Sequence, residues 1–341
     1  MNQFDVIIVG GGAAGMMAAG TAAQNGLNTL LLEKNSRLGR KLRITGKGRC
    51  NIVNNCDVPT AIAAIPSNGR FLYSAVSQFT PQDAIVFFEN LGVPIKTERG
   101  NRVFPQSDLA SDVVDALKSY CTQNGVQIRQ AVVTDLRIQE QTVTGVRCED
   151  GTEYFSKHVV IACGGMSYPA TGSTGDGYRL AQQAGHTITE LRPSLVSLVA
   201  NGKDCPALQG LSLKNVAIHV IDTKQKKVIY DDFGEMMFTH YGVTGPMILS
   251  ASSHMRNMEP NRYQISIDLK PALSLEQLDT RLQKDFAENQ NKDFINSLGA
   301  LLPRKLIPIM VAKSGIAPNQ KCNQITKEQR RRFAQELKGT L

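Results

Sequence analysis

The sequence predicts an α/β fold: a Rossmann-like dinucleotide-binding domain that carries an inserted β-rich and helical subdomain. Three observations carry that prediction. Residues 4–33 spell an apolar strand, a glycine turn, a small-residue helix, a second apolar strand and a closing acid. A continuous apolar strand, His158-Val159-Val160-Ile161-Ala162, returns much later and suits a buried parallel sheet. Beyond Leu191 short strand-like segments take over, and these give way in turn to helices.

The first strand runs from Phe4 to Val9, and the turn is Gly10-Gly11-Gly12-Ala13-Ala14-Gly15. Gly10 lets the chain turn sharply off the strand. Gly12, with no side chain, lets a pyrophosphate rest on backbone N–H groups and on the positive end of the helix. Gly15 lets that helix lie close to the sheet. The second strand, Leu27 to Leu32, ends on Glu33, which is 21 residues past Gly12. A carboxylate there accepts hydrogen bonds from ribose hydroxyls and disfavours a 2′-phosphate, so the turn suits FAD or NAD rather than NADP. With 29 glycines in the chain a bare GxGxxG is weak, but here the strand, the helix and the acid all accompany it.

Residues 34–49 hold seven Lys and Arg in a Gly-rich loop, a composition that suits an anionic ligand. Residues 68–125 read as helical, with a start at Thr80-Pro81 that stops at Gly92, and a second helix from Asp108 to Asn124. Short strands follow at 126–128, 132–138 and 143–146, with Asp150-Gly151 as a tight turn. After the strand at 158–162, Cys163-Gly164-Gly165 and Thr171 to Gly177 lead into a helix from Tyr178 to Ala184, a second place where a strand end and a helix start face one ligand. Strands are then expected at 195–199, 216–221, 228–230 and 263–269. Phe238 to Pro246 reads as a loop too rich in Gly, Thr and Pro for a strand. Helices are expected after Ser274, at 294–302 and at 327–338. The domains expected are therefore 1–190, a β-rich part at 191–272 and a helical part at 273–338.

Composition sets outer bounds. A chain of 341 residues, 42% hydrophobic and 20% charged, is an ordinary globular protein of two or three domains. No stretch reads as a membrane span, no basic n-region opens the chain, and no metal site is suggested by its Cys and His spacing. Seven cysteines without a CxxC pair argue against a redox disulfide and for free thiols in a cytoplasmic protein. The net charge of +8 invites a nucleic-acid partner, with Arg330-Arg331-Arg332 as its densest run. The absence of an RNA-binding module and of interleaved aromatics reads against one.

Several segments together resemble the YhiN/BaiN-type NAD(P)/FAD-dependent flavoproteins, a family that includes aminoacetone oxidase-like enzymes. They are Val9 to Gly15 with Glu33, Leu38-Gly39-Arg40-Lys41 through Gly46-Lys47-Gly48-Arg49-Cys50-Asn51, Ala162 to Pro169 running into Gly172 to Gly177, and Phe238-Thr239-His240 to Gly245-Pro246. The resemblance covers essentially the whole chain, and the Thr174 to Gly177 helix start is similar to that of fumarate reductase-type flavoproteins. It implies a glutathione reductase/fumarate reductase-like FAD domain, with the 190–338 region as an inserted β-barrel-like subdomain plus helices covering the flavin face. Gly10, Gly12 and Gly15 would hold the pyrophosphate with Ala13 and Ala14 alongside, and Glu33, followed by Lys34, would hold the ribose. Arg40, Lys41, Gly48, Arg49, Cys50 and Asn51 would line the path to the flavin. Val133 would meet the adenine through its backbone, and Gly164 and Gly165 would pass the adenosine half.

The implied activity is that of an FAD-dependent oxidoreductase acting on a small molecule, with NAD(P)H as a donor. An NAD-dependent dehydrogenase and an RNA-interacting flavoprotein stand as alternatives. His240 is nominated for substrate contact or proton transfer because it sits in a special loop and titrates in a suitable range. A loop-stabilising role fits it equally. Cys50 reads as a packed thiol, with only Cys56 near enough in sequence for a disulfide. Family members close with a second flavin-binding segment, and the chain stops at Lys338-Gly339-Thr340-Leu341, where that segment is expected to begin. Truncation and weak FAD binding are therefore expected, and the oligomeric state is left open.

Overall fold

A computed structural model describes residues 2–339. Thr340 and Leu341, the last two residues of the stretch 338–341 named above, lie outside the described residues. The chain divides into two compact units between Glu190 and Leu191.

The first unit is built on a four-stranded parallel sheet. Strand β1 (Val6–Val9) lies between His158–Ile161 and β2 (Thr29–Glu33), and Gln127–Gln130 lies outside β2. Alternation along β1 and β2 sends side chains to opposite faces. Ile7, Val9, Leu30 and Leu32 pack on Val146, Tyr154 and Leu180, while Val6, Ile8 and Leu31 pack on Met16, Ala19, Val114 and Leu117. Each such side chain, fully buried, contributes about 1.5–3 kcal/mol. Helix α1 (Ala13–Gln24) covers the second face together with the helix Ala110–Gln123. Their approach requires Gly20, because a Cβ there would stand 2.3 Å from the Tyr120 ring.

Residues 68–125 are not helical throughout, as the sequence suggested. Helices Tyr73–Gln78, Pro81–Asn90 and Ala110–Gln123 are separated by a hairpin of Ile95–Glu98 and Arg102–Pro105. The reason is local. Gly100 and Asn101, at φ 77° and 57°, make the turn, and Val103 and Phe104 are buried. Thr80 starts its helix with a capping box to Asp83.

The second unit holds a five-stranded antiparallel sheet, ordered Leu198–Val199, Gly242–Thr244, Lys227–Phe238, Ser212–Asp222, Tyr263–Asp268. Its inner face and the helices Leu275–Glu288, Ile307–Ser314 and Lys327–Gly339 share one core, centred on Ile218, Phe238, Leu282, Phe294 and Phe333. Three strand expectations need correction. The strand expected at 195–199 keeps only its last two residues, and the one at 228–230 continues to Phe238. Phe238 to Pro246 is no plain loop. Gly242–Thr244 pairs with strands on both sides, and Gly245, at φ 109°, turns into the helix Pro246–His254, which the sequence reading missed. Among the described residues no helix is long and apolar enough to cross a membrane.

Candidate functional site

The carboxyl ends of β1 and His158–Ile161 and the start of α1 border a cleft of about 540 Å³ within the first unit. Ligands in open α/β sheets sit at such strand ends. The glycine turn is built for one. Gly10 has φ 110°, and a Cβ there would come within 2.6 Å of the Ala162 carbonyl oxygen. A Cβ on Gly15 would lie 1.8 Å from the Gly10 carbonyl oxygen, so only glycine permits this approach of helix to strand. At Gly12 a Cβ would meet no protein atom within 4 Å and would project into open space. Gly12 caps α1 with no side-chain hydrogen bond, and no acidic residue stands in the first turn. The helix therefore offers free N–H groups and its positive end to an anion.

Glu33 lines the cleft and already accepts three hydrogen bonds. Its Oε2 accepts from the Gly11 N–H at 2.7 Å, and its Oε1 accepts from Asn35, from the backbone at 2.8 Å and from the side-chain amide at 2.6 Å. A carboxylate has about four acceptor positions, so one remains on Oε2. Lys34 donates to Thr174 at 2.7 Å and to Asp176 at 2.6 Å. Burial alone would raise the Asp176 carboxyl, but hydrogen bonds from Lys34 and Thr174 outweigh it and hold the group below the usual carboxylate range. Cys163 also lines the cleft, and burial pushes its thiol up to about 11.

Of the residues nominated from sequence, Gly10, Gly12, Ala13, Ala14, Glu33, Lys34, Arg40, Lys41, Val133 and Gly164 line this one cleft. Gly15 stands behind it. Cys50 and Asn51 line a smaller neighbouring cavity of about 230 Å³, which shares Ala13 and Leu42 with the cleft and is walled by Phe79, Phe87 and Phe88. Burial raises the Cys50 thiol, and all seven cysteines are free, Cys56 included.

Gly48, Arg49 and Gly165 line neither cavity. The Arg49 guanidinium lies 4.2 Å over the Phe104 ring, donates to Asp108 at 2.7 Å and bonds Glu98. That fixes it as a clamp on the Ile95–Pro105 hairpin. His240 belongs to the second unit, exposed at the turn after Phe238 and edge-on to Tyr241. Among the described residues no cluster of His, Cys, Asp and Glu is gathered for a metal.

Sequence reasoning missed Asn35, which ties Glu33 to Arg40 and to the Thr171 carbonyl. Its only sequence signal was its place beside the acid. A Cβ on Gly172 would stand 2.5 Å from the Asn35 amide, so that glycine is needed for the contact.

A parallel sheet with a glycine turn, an uncapped helix start and an acid closing β2 defines the class of dinucleotide-binding proteins. Residues 4–252 match the Rossmann domain of HI0933-like proteins, and residues 192–340 match their barrel and H2TH domain. The chain belongs to the HI0933-like family, the YhiN/BaiN type. It is 28% identical to the 3-dehydro-bile acid delta(4,6)-reductase of Clostridium scindens over 348 residues, which takes in 100% of this chain and 82% of that protein. It is 31% identical to the ribosomal RNA dihydrouridine synthase of Escherichia coli over 309 residues, 90% of this chain and 73% of that one. A solved structure that resembles it is 3-ketosteroid-delta4-(5alpha)-dehydrogenase from Rhodococcus jostii, at 16% identity over 65% of this chain and 67% of that chain, with a TM-score of 0.45.

Proposed function

We propose that this protein is an FAD-dependent reductase that adds two hydrogens across a carbon–carbon double bond conjugated to a carbonyl. One observation carries the reading. The two relatives differ in substrate, yet their names describe one reaction class. A 3-dehydro bile acid with 4,6 double bonds is a conjugated ketone, and the 5,6 double bond of uridine is conjugated to its 4-carbonyl.

In this reading the N–H groups of Gly12 to Ala14 and the Arg40 and Lys41 side chains hold the pyrophosphate. The free lone pair of Glu33 takes one ribose hydroxyl, and Lys34, anchored by Asp176, adds positive charge beside it. The backbone around Val133 and Gly164 borders the adenosine half. Bound there, FAD would supply the hydride, with a nicotinamide dinucleotide as its reductant, and the second hydrogen would arrive as a proton from solvent. The cofactor domain of the proposal is 1–190. Seven free thiols suit a reducing compartment, and the cytoplasm is the proposed location.

The substrate in the first instance is a small conjugated enone. A second reading, a uridine within RNA, is favoured by the 31% identity to a ribosomal RNA enzyme and by the net charge of +8. The protein is purified, its flavin absorbance recorded, and the flavin reduced anaerobically with NADH or NADPH. A steroid 4,6-dien-3-one or ribosomal RNA is then added. Reoxidation of the flavin with gain of two hydrogens by the steroid supports the first reading, and dihydrouridine in the RNA supports the second. Reduced flavin that neither compound reoxidises ends the proposal. Stoichiometric flavin in the purified protein ends the expectation of weak binding.

A further inference from the structure

Positive charge is unevenly placed along this chain. Residues 289–339 contain ten Lys and Arg against three Asp and Glu, a net +7 of the +8 carried by the whole protein. The other residues balance 28 cations against 27 acids. General solubility needs no such concentration, and holding like charges together costs self-repulsion.

Lys305 donates to the Gln209 carbonyl at 3.0 Å, and four of the ten cations stand in salt bridges. Lys313 pairs with Asp204 at 3.0 Å, Lys321 with Asp293 at 2.8 Å, Arg330 with Asp279 at 2.8 Å and Lys338 with Asp268 at 2.6 Å. The other six, Lys292, Arg304, Lys305, Lys327, Arg331 and Arg332, are exposed, and among the described residues none is in an ion pair.

Their placement follows from how the helices pack. Phe333, Ala334 and Leu337 turn into the core, which leaves Lys327, Arg331 and Arg332 on the outer side of Lys327–Gly339. The Arg332 guanidinium lies 3.6 Å from the position of a Cβ on Gly315, so it sits over the end of the helix Ile307–Ser314. Arg304 and Lys305 precede that same helix. The two aromatic rings of the segment, Phe294 and Phe333, are wholly buried. Bases therefore have nothing to stack on here, whereas phosphates have six guanidinium and ammonium groups.

We propose that this helical surface of the second unit, Arg304, Lys305, Lys327, Arg331 and Arg332 above all, docks the phosphate backbone of RNA. It rests on the reading in which the substrate is a uridine of RNA. Contacts of this kind position a nucleic acid without choosing its bases.

The test is fluorescence anisotropy with a labelled ribosomal RNA fragment at several salt concentrations, using the flavin-loaded full chain. A fourfold variant, Arg304→Gln, Lys327→Gln, Arg331→Gln and Arg332→Gln, is expected to bind about tenfold or more weakly. Its slope of log affinity against log salt should fall by about 3, at roughly 0.7 per lost phosphate contact. Arg331→Gln alone should give about a quarter of that fall, and thermal melting checks that each variant is folded.

The control removes four exposed cations from the β-rich part: Lys203→Gln, Lys214→Gln, Lys226→Gln and Lys227→Gln. It is expected to bind like the parent. Equal loss in both variants, no loss in the first, or no RNA binding by the parent overturns the proposal. Dihydrouridine formation is assayed separately. RNA that binds selectively but is not reduced sinks the uridine reading and leaves the docking surface standing. RNA that is reduced while the fourfold variant binds like the parent does the reverse.

Discussion

Gly12 and Gly15 occupy one turn, yet they answer to different neighbours. A methyl on Gly15 meets the Gly10 carbonyl, so Gly15→Ala is expected to cost about 1–3 kcal/mol and to lower the melting temperature. A side chain on Gly12 meets only the open cleft. Gly12→Val should leave the apoprotein's melting temperature nearly unchanged while flavin absorbance disappears from the purified protein. Asp176 gives a pH prediction. Its pKa is lower folded than unfolded, so the unfolded chain binds the proton more readily. Its contribution is full above the unfolded value of about 3.9 and fades as pH falls through the folded one. The gap in melting temperature between the parent and Asp176→Asn should hold at pH 6 and close on acidification. Glu33 was legible because its spacing from Gly12 is fixed by strand and helix lengths. Asn35 was not, because its value comes from Thr171 and Arg40, one of them far away in sequence.

Elements built on local pattern were legible, and elements that depend on distant partners were not. The capping boxes at Thr80 and Ser274 announce their helices within four residues. The Gly242–Thr244 strand exists because Leu198–Val199 and Met237–Phe238 flank it, and its own Gly and Thr suggested a loop. The hairpin at 95–105 was hidden by the charged, partly exposed strand Ile95–Glu98 and by its place between two helical patterns. Helix–helix contact offers a test at this scale. The Tyr120 ring is buried against Gly20, and its hydroxyl donates to Gln24 at 2.8 Å, so the ring has little room to move. Gly20→Ala should therefore destabilise the first unit by about 1–3 kcal/mol, read as weaker hydrogen-exchange protection in α1 and the helix Ala110–Gln123.

For the whole molecule, the class of cofactor was written in the order of strand, turn, helix and acid. The sum of charge was equally plain. Its densest run, Arg330-Arg331-Arg332, was plain too, and only folding separates the four salt-bridged cations of 289–339 from the six that stand outside the salt bridges. Adding FAD to the apoprotein should stabilise it by about 2.7 kcal/mol at a hundredfold excess over the dissociation constant. Differential scanning calorimetry reads this as a rise in the melting temperature of the transition that contains the cleft. A melting temperature indifferent to FAD would contradict the assignment of the cleft.

Cys163 gives the cleft a chemical temperament of its own. With its thiol pushed up to about 11, roughly one side chain in ten thousand is ionised at neutral pH. Reduced flavins that meet oxygen release hydrogen peroxide, and it is the thiolate that attacks peroxide. The sulfur that borders the cleft is thus held almost wholly as the protonated, slow-reacting thiol.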